Sequence, residues 1–369
     1  MINNDERLLK SGIYVHFPYC KSKCAYCSFC SYADRSTAED YVKSLLAEID
    51  ERGNGASVNT VYFGGGTPSV MPFGSLYSVA DKLHKKFDLS GLVEFTVEAN
   101  PDSVTLDFIR EIKSAGVNRV SLGLQSANDE ILKKIGRPHT VKRFVGAVEA
   151  LSDAGIENIS SDLIIGLDGQ DERDVKDAIE LWGRLGISHA SVYSLSVEEG
   201  TPMFRSGYRP DPDRQADLYE FAVKNLHDHG YERYEVSNFA RDGKISLHNY
   251  KYWTGADYYG FGAAAHSKIG KTRRENPSDL AAYRNRIDVK EYGLTPDDER
   301  TEYVMLSLRT ADGLDYEQYS RVTGGDIRTE KAEQIARFVK LGVVSDDGAR
   351  LTATDKGFYL LDAIITELM

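Results

Sequence analysis

The chain is poor in cysteine, and its thiols are not dispersed: 369 residues carry four, all between Cys20 and Cys30. A disulfide framework staples distant segments, so this clustering excludes one and points to metal or redox chemistry in a reducing compartment. No run of 18 or more apolar residues occurs, which excludes a membrane-crossing helix. A basic excess is missing as well. Lys and Arg number 45 against 57 Asp and Glu, for a net charge of −12. That is the wrong sign for neutralising phosphates or adhering to an anionic membrane, so no nucleic-acid partner is expected. The opening "MINNDERLLKSG" lacks the apolar segment of a signal peptide, and a cytoplasmic location is expected. Repeats and low-complexity tracts are also absent. With 41 % hydrophobic and 28 % charged residues, the composition suits an ordinary globular core.

What is present is a rhythm. Short β-branched and aromatic runs each precede an amphipathic segment: "IYVHF" and "TAEDYVKSLLAEIDERG"; "VNTVYFGGG" and residues 73–87; "LVEFTVEAN" and 106–115. "VNRVSLGLQ" with 141–154, "IENISSDLIIGL" with 172–185 and "ISHASVYSLSV" with 214–229 complete six strand–helix units. Such alternation predicts an α/β fold on a mainly parallel sheet. A doubly wound open sheet has the same rhythm. Chemistry-bearing residues fall at the ends of successive strands, however, which suits a partial (β/α)6 barrel of the TIM type better than a single switch point.

The rhythm stops near residue 240. The expected organisation is a barrel over 1–240, an aromatic-rich closing segment over 241–290 and a small winged-helix-like α+β unit over 291–369. In that last unit, helices at "DERTEYVMLSLRT", "DYEQYSRV" and 328–340 precede a hairpin at "GVVSDDGARLTAT" and a helix from Asp355. From Thr295 onward it holds fifteen acidic and nine basic residues, which argues against DNA binding.

Cys20, Cys24 and Cys27 are spaced C-x3-C-x2-C, with Cys30 three places on. Three thiolates can hold three corners of a [4Fe–4S] cube and leave one iron open to a small chelator. A closed tetrahedral zinc site is the alternative, with Cys30 as fourth ligand. "GGGTPS" at 64–69 allows close backbone approach to a ligand and lacks the Lys of a phosphate-binding P-loop. Taken singly, Glu98, Gln125, Arg137 and Asp162 read as a solvated carboxylate, a strand-end amide, a surface charge and a turn cap.

The cysteine loop, with Tyr26 before its third cysteine, resembles the radical S-adenosylmethionine (SAM) superfamily. The resemblance implies that SAM chelates the open iron and that one electron can cleave it. Within the superfamily, "YVHFPYCKSKCAYCSF", "VYFGGGTPS", "TVEANPDSV", "GVNRVSLGLQS", "DLIIGL", "HNYKYW" and "YYGFGAAAH" resemble one group. It contains oxygen-independent coproporphyrinogen III oxidase and the heme chaperone HemW. Carried over by position, Tyr14, Tyr26, Gly65, Gly66, Thr67, Glu98, Gln125, Arg137, Asp162 and Ser196 would contact SAM, and Cys20, Cys24 and Cys27 would hold the cluster.

Three features favour the HemW family over the oxidase, which remains the alternative. Phe29 stands where the oxidase has a further cysteine, few residues precede the first strand, and "HNYKYW" fits an H-N-x-x-Y-W element. That element implies heme, with His248 as axial ligand and His266 as a second candidate. An ordinary hydrogen-bonded core histidine is the plain alternative for His248. Cys30 departs from both patterns; an inert thiol, a fourth ligand and a displaced catalytic thiol stay open. The implied partners are an electron donor and a heme-acceptor protein, with respiratory and membrane-bound acceptors among the candidates. Whether SAM is cleaved in use is left open.

Overall fold

A computed structural model describes residues 10–369. The first half alternates as expected: β1 (Ser11–Phe17), α1 (Ala38–Arg52), β2 (Val58–Gly65), α2 (Ser75–Lys86), β3 (Glu94–Ala99) and α3 (Leu106–Ser114). There follow β4 (Arg119–Gln125), α4 (Asp129–Lys134), α5 (Val141–Asp153), β5 (Asn158–Ile165), α6 (Glu172–Arg184) and β6 (His189–Ser194). Several helices start where a side chain caps the free N–H groups of the first turn. Thr105 accepts from Phe108 N–H, Thr140 from Arg143 N–H, and Asp171 from Arg173 and Asp174 N–H.

Strands β1 to β6 lie side by side in chain order and all pair in parallel. A doubly wound sheet reverses its order at a switch point; this one does not, and the barrel-like reading holds. The period of two then sorts side chains by face. One face carries Ile13, Val61 and Phe95 in one row and Val15, Phe63, Val97, Val120 and Ile159 in the next. These are buried under the helices in the main core, where each such side chain contributes roughly 1.5–3 kcal/mol. The opposite, inner face is polar: Tyr14, Tyr62, Thr96 and Arg119 form one row, and Glu98, Ser121, Ser160 and His189 another. A barrel interior built this way is a chemical chamber rather than a greasy core.

After β6 come α7 (Pro202–Arg205), α8 (Pro212–Asp228), β7 (Glu232–Arg233) and β8 (Asn238–Ala240), which pairs antiparallel with β6. Helix α9 (Leu247–Trp253) then crosses beneath the barrel, and β9 (Tyr258–Phe261) returns to lie parallel beside β1. Next are β10 (His266–Ile269), β11 (Thr272–Glu275), α10 (Leu280–Arg284) and β12 (Lys290–Gly293), with the three strands continuing the same sheet. The 241–290 region is therefore part of the main sheet rather than a separate closing segment. The boundary expected at 291 falls inside β12, because that strand is laddered to β11.

The C-terminal unit has its own core around Val304, Tyr319, Phe338, Leu351 and Ile364. It comprises α11 (Pro296–Ser307), β13 (Leu314–Asp315), α12 (Tyr316–Thr323), α13 (Ile327–Glu330), α14 (Ala332–Leu341), β14 (Val344–Asp346), β15 (Arg350–Ala353), α15 (Asp355–Phe358) and α16 (Leu361–Leu368). The single helix expected over 328–340 is two, broken where Lys331 leaves helical geometry at φ −126°. The last helix is likewise split, by Leu360 at φ −116°. Backbone bonds from Val236 N–H to Arg309 O (2.9 Å) and from Ala311 N–H to Tyr234 O (3.0 Å) join this unit to the barrel. Among the described residues no helix is long and apolar enough to cross a membrane.

Candidate functional site

The cysteine loop leaves β1 and is closed on itself by Tyr32 N–H to Pro18 O (2.8 Å) and Cys20 N–H to Tyr32 O (2.9 Å). The glycine loop after β2 is tied to it. Gly66 N–H donates to Phe17 O at 2.9 Å and Thr67 N–H to Tyr19 O at 2.8 Å. Only glycine fits here: a Cβ on Gly65, whose φ is +111°, would sit 2.5 Å from the His16 ring, and one on Gly66 would sit 2.7 Å from Tyr19 O.

These loops and the strand ends enclose a cavity of about 400 Å³, a size usual for small-molecule sites. Cys20, Cys24, Cys27, Tyr26, Gly65, Gly66, Thr67, Glu98, Gln125, Arg137, Asp162 and Ser196 all line it. Residues more than 170 positions apart in sequence thus converge on one chamber, as the resemblance implied. Tyr14 is not on that wall. Its hydroxyl bonds His16 Nδ1 at 2.9 Å and its ring stacks on Tyr62 at 6.1 Å, so it stands behind the wall. Cys30 is absent from the wall too, its thiol donating to Ser278 O at 3.3 Å. A fourth-ligand or catalytic role for Cys30 finds no support in that position.

The chamber is charged, and its carboxylates are largely buried. Glu98 accepts from Tyr62 OH (2.7 Å) and Gly65 N–H (3.1 Å), and burial, helped by the Asp162 charge, pushes its pKa up to about 7. Burial also pushes Asp162 up to about 6. Arg137 donates from Nη2 to Gly123 O (2.6 Å) and Asn100 Oδ1 (2.8 Å), and its Nη1 lies 3.7 Å from Cys24 Sγ. Its buried Nε has no partner, which is unusual for a buried donor and points into a ligand site. Gln125 sits at a bulge with φ +70°, a strained backbone of the sort that clusters at functional positions.

Three thiols on one wall, a glycine cradle and an unpaired buried donor fit a cluster with a chelated cofactor. A closed four-thiolate site would need Cys30 as well, and that thiol is turned away to Ser278 O at 3.3 Å. Burial raises the thiol pKa of Cys20 and Cys27, so taking up iron as thiolates releases protons.

The histidine of "HNYKYW" behaves otherwise than expected. His248 is 1 % exposed and faces the barrel floor, not a cavity. Its Nδ1 bonds Thr60 Oγ1 at 3.0 Å, its Nε2 bonds Tyr252 OH at 2.9 Å, and its ring stacks on Tyr62 at 5.3 Å. Glu94 accepts from Leu247 and His248 N–H at 2.8 and 3.0 Å, and Tyr250 OH reaches Asp312 at 3.2 Å. His248 is therefore not displayed as the motif implied: both ring nitrogens are already bonded, and α9 packs against both the barrel and the C-terminal unit. His266 lies on β10 with its side chain 55 % exposed and Nδ1 3.8 Å from Glu275.

Sequence reasoning missed Asn100, Ser121, Tyr193, Leu195 and Glu198, which also line the cavity. Asn100 and Ser121 carried a usable signal, since each lies on the site's strand-end loop or inner face.

The fold and this cysteine-lined chamber define a radical SAM protein. The Radical SAM superfamily profile matches residues 14–181, and the HemN C-terminal domain profile matches residues 294–360. Escherichia coli coproporphyrinogen III oxidase (HemN) shares the fold, with a TM-score of 0.85 over 98 % of this chain and 90 % of that one at 22 % identity. The heme chaperone HemW of Lactococcus lactis is 35 % identical over 360 residues, 95 % of each chain. That of Bacillus subtilis is 32 % identical over 94 % of this chain and 96 % of its own. The chain belongs to the heme chaperone HemW family. A bovine mitochondrial radical S-adenosyl methionine domain-containing protein is also similar, at 30 % identity over 98 % of this chain and 87 % of that one.

Proposed function

We propose that this chain takes up heme and hands it to an acceptor protein, on a scaffold that holds a [4Fe–4S] cluster and an exchangeable SAM. The observation that carries the reading is the extent of the likeness to heme chaperones, which spans 95 % of both chains and includes the C-terminal unit. Cys20, Cys24 and Cys27 would hold three irons and leave the fourth to SAM. When bound, cluster and SAM supply one-electron chemistry.

The chain's own residues orient and seal the cofactor. Gly65, Gly66 and Thr67 offer backbone and hydroxyl groups at the methionine end. Glu98 and Asp162 accept from its amino and hydroxyl groups. Arg137 and Gln125 supply donors, and Tyr26 and Ser196 line the same cavity. Tyr14 acts on the site through Tyr62.

For heme iron, His266 replaces His248 as the assigned ligand, because its ring reaches solvent without unfolding of the barrel floor. The chain works in the cytoplasm, downstream of porphyrin biosynthesis, where its four unpaired thiols stay reduced. Its partners are an electron donor and a heme acceptor, a respiratory membrane protein met in transient contact.

Titrating anaerobically prepared protein with heme tests the reading. One heme per chain is expected, with affinity at least about tenfold weaker in His266→Ala, the loss of about 1.4 kcal/mol that removal of one ligand easily exceeds. Wild-type protein that takes up no heme sinks the proposal. So does propionate-to-vinyl conversion of coproporphyrinogen III in the presence of SAM and reductant, which would make the chain an oxidase.

A further inference from the structure

Asn100 directly follows β3 and lines the same cavity as the three cysteines. Its Oδ1 accepts from Arg137 Nη2 at 2.8 Å, and its Nδ2 donates to Thr67 Oγ1 at 3.2 Å. This orientation of the amide is forced, because a guanidinium can only donate, which leaves the NH2 end for Thr67. Thr67 Oγ1 lies 3.3 Å from Cys20 Sγ, and Arg137 Nη1 lies 3.7 Å from Cys24 Sγ. A continuous circuit therefore runs from Cys20 through Thr67, Asn100 and Arg137 to Cys24.

The direction of each bond follows from the chemistry. A cluster-bound thiolate only accepts, so the Thr67 hydroxyl must give its proton to Cys20. Asn100 Nδ2 donates to the hydroxyl oxygen and occupies the direction in which the O–H would otherwise turn, which leaves the hydrogen for Cys20. The same amide, through Oδ1, holds the Arg137 fork so that its other nitrogen stays beside Cys24. Gly123 O, 2.6 Å from Nη2, is the second fixed point of that fork. Donors aimed at cluster sulfur stabilise the extra negative charge of the reduced state, and outer-shell partners of ligands tune a metal centre in this way.

We infer that Asn100 is a positioning residue that raises the reduction potential of the cluster by fixing the donors to Cys20 and Cys24. The inference rests on the cofactor reading proposed above. No side chain other than an amide does both tasks at this place. A carboxylate would accept from Thr67, turn its hydroxyl away from Cys20 and add a charge; an apolar side chain would free the Thr67 hydroxyl and leave the Arg137 fork held by Gly123 O alone.

The test is a redox titration, followed by electron paramagnetic resonance, of full-length protein with its cluster reconstituted anaerobically and no SAM added. Asn100→Leu, neutral and of similar size, is expected to shift the midpoint to more negative potential. The shift should make the ratio of reduced to oxidised cluster about tenfold smaller at a fixed potential, about 59 mV for one electron. Thr67→Val should shift it in the same direction, and Thr67→Ser, which keeps the hydroxyl, should restore the wild-type value. A wild-type midpoint in Asn100→Leu of full iron and sulfide content overturns the inference. If that variant holds no cluster, equal midpoints for Thr67→Val and Thr67→Ser overturn it instead. Wild-type protein that binds no four-iron cluster would refute the cofactor reading itself, a result separate from any of these.

Discussion

Replacing His248 by alanine is expected to lower the unfolding free energy at pH 7.5 by about 3–4 kcal/mol while leaving heme affinity unchanged. The side chain is enclosed between β2 and α9 and is bonded at both ring nitrogens. Its removal opens a cavity and orphans the hydroxyls of Thr60 and Tyr252, each a penalty in its own right. The pH dependence makes the expectation specific. Burial, followed by the charges of Lys251 and Arg119, pushes the His248 pKa down to about 3. The unfolded side chain protonates near 6.5 and the folded one does not, so its contribution is whole above 6.5 and drains away as pH falls toward 3. At pH 5 the wild type should have lost about 2 kcal/mol of it. The gap between wild type and variant should narrow by that amount in urea unfolding at pH 7.5 and 5. A gap independent of pH, or a variant as stable as wild type but impaired in heme uptake, would return His248 to the role of ligand.

Glu98→Gln should act with the opposite sign. The folded carboxyl titrates at about 7 against an ordinary value of 4.5, so the folded state holds its proton the more tightly. Stability from this group is whole below 4.5 and is lost as pH rises to 7, a burden of about 3 kcal/mol above that. Glutamine resembles the protonated acid and does not carry it. One of the two bonds to Tyr62 and Gly65 is lost in the exchange, a fixed offset. Relative to wild type, the apo variant should therefore gain about 3 kcal/mol between pH 4.5 and 8. SAM binding should move the other way, because a cationic ligand favours the carboxylate. Wild-type affinity should climb with pH up to about 7, and the variant should bind weakly with a flat profile. Parallel stability curves for the two proteins across that range would show that Glu98 is ionised throughout, and the pH argument would fail.

How much of this could be read from the sequence depends on the range of the forces involved. Strand–helix alternation and N-caps are local, and α3, α5 and α6 begin at Leu106, Val141 and Glu172 as patterning predicts. The cavity residues were legible because motif and strand end coincide: Glu98 and Gln125 stand at the ends of β3 and β4, where a barrel gathers its chemistry, while Asp162 lies mid-strand on β5. His248 was not, because whether an imidazole is displayed or enclosed depends on Thr60 and Glu94, more than 150 residues away, and nothing in "HNYKYW" encodes them. Tyr14 lies off the cavity wall for a related reason: it has the right strand and face, but it shares a row with Tyr62 and Thr96, two residues short of Glu98 along the strands. The breaks at Lys331 and Leu360 are likewise tertiary, since the flanking segments have helical patterning and are divided to wrap a small core.

The return of β9 to pair beside β1 has a bearing on how the protein is made. The first strand of the barrel, from which the cysteine loop springs, gains its outer neighbour only from residues 258–261. A nascent chain that has delivered every cysteine and the whole glycine loop still has an exposed, unladdered flank at its start, and must wait through two-thirds of translation to cover it. The clustered cysteines are thus synthesised long before the sheet that carries them is complete.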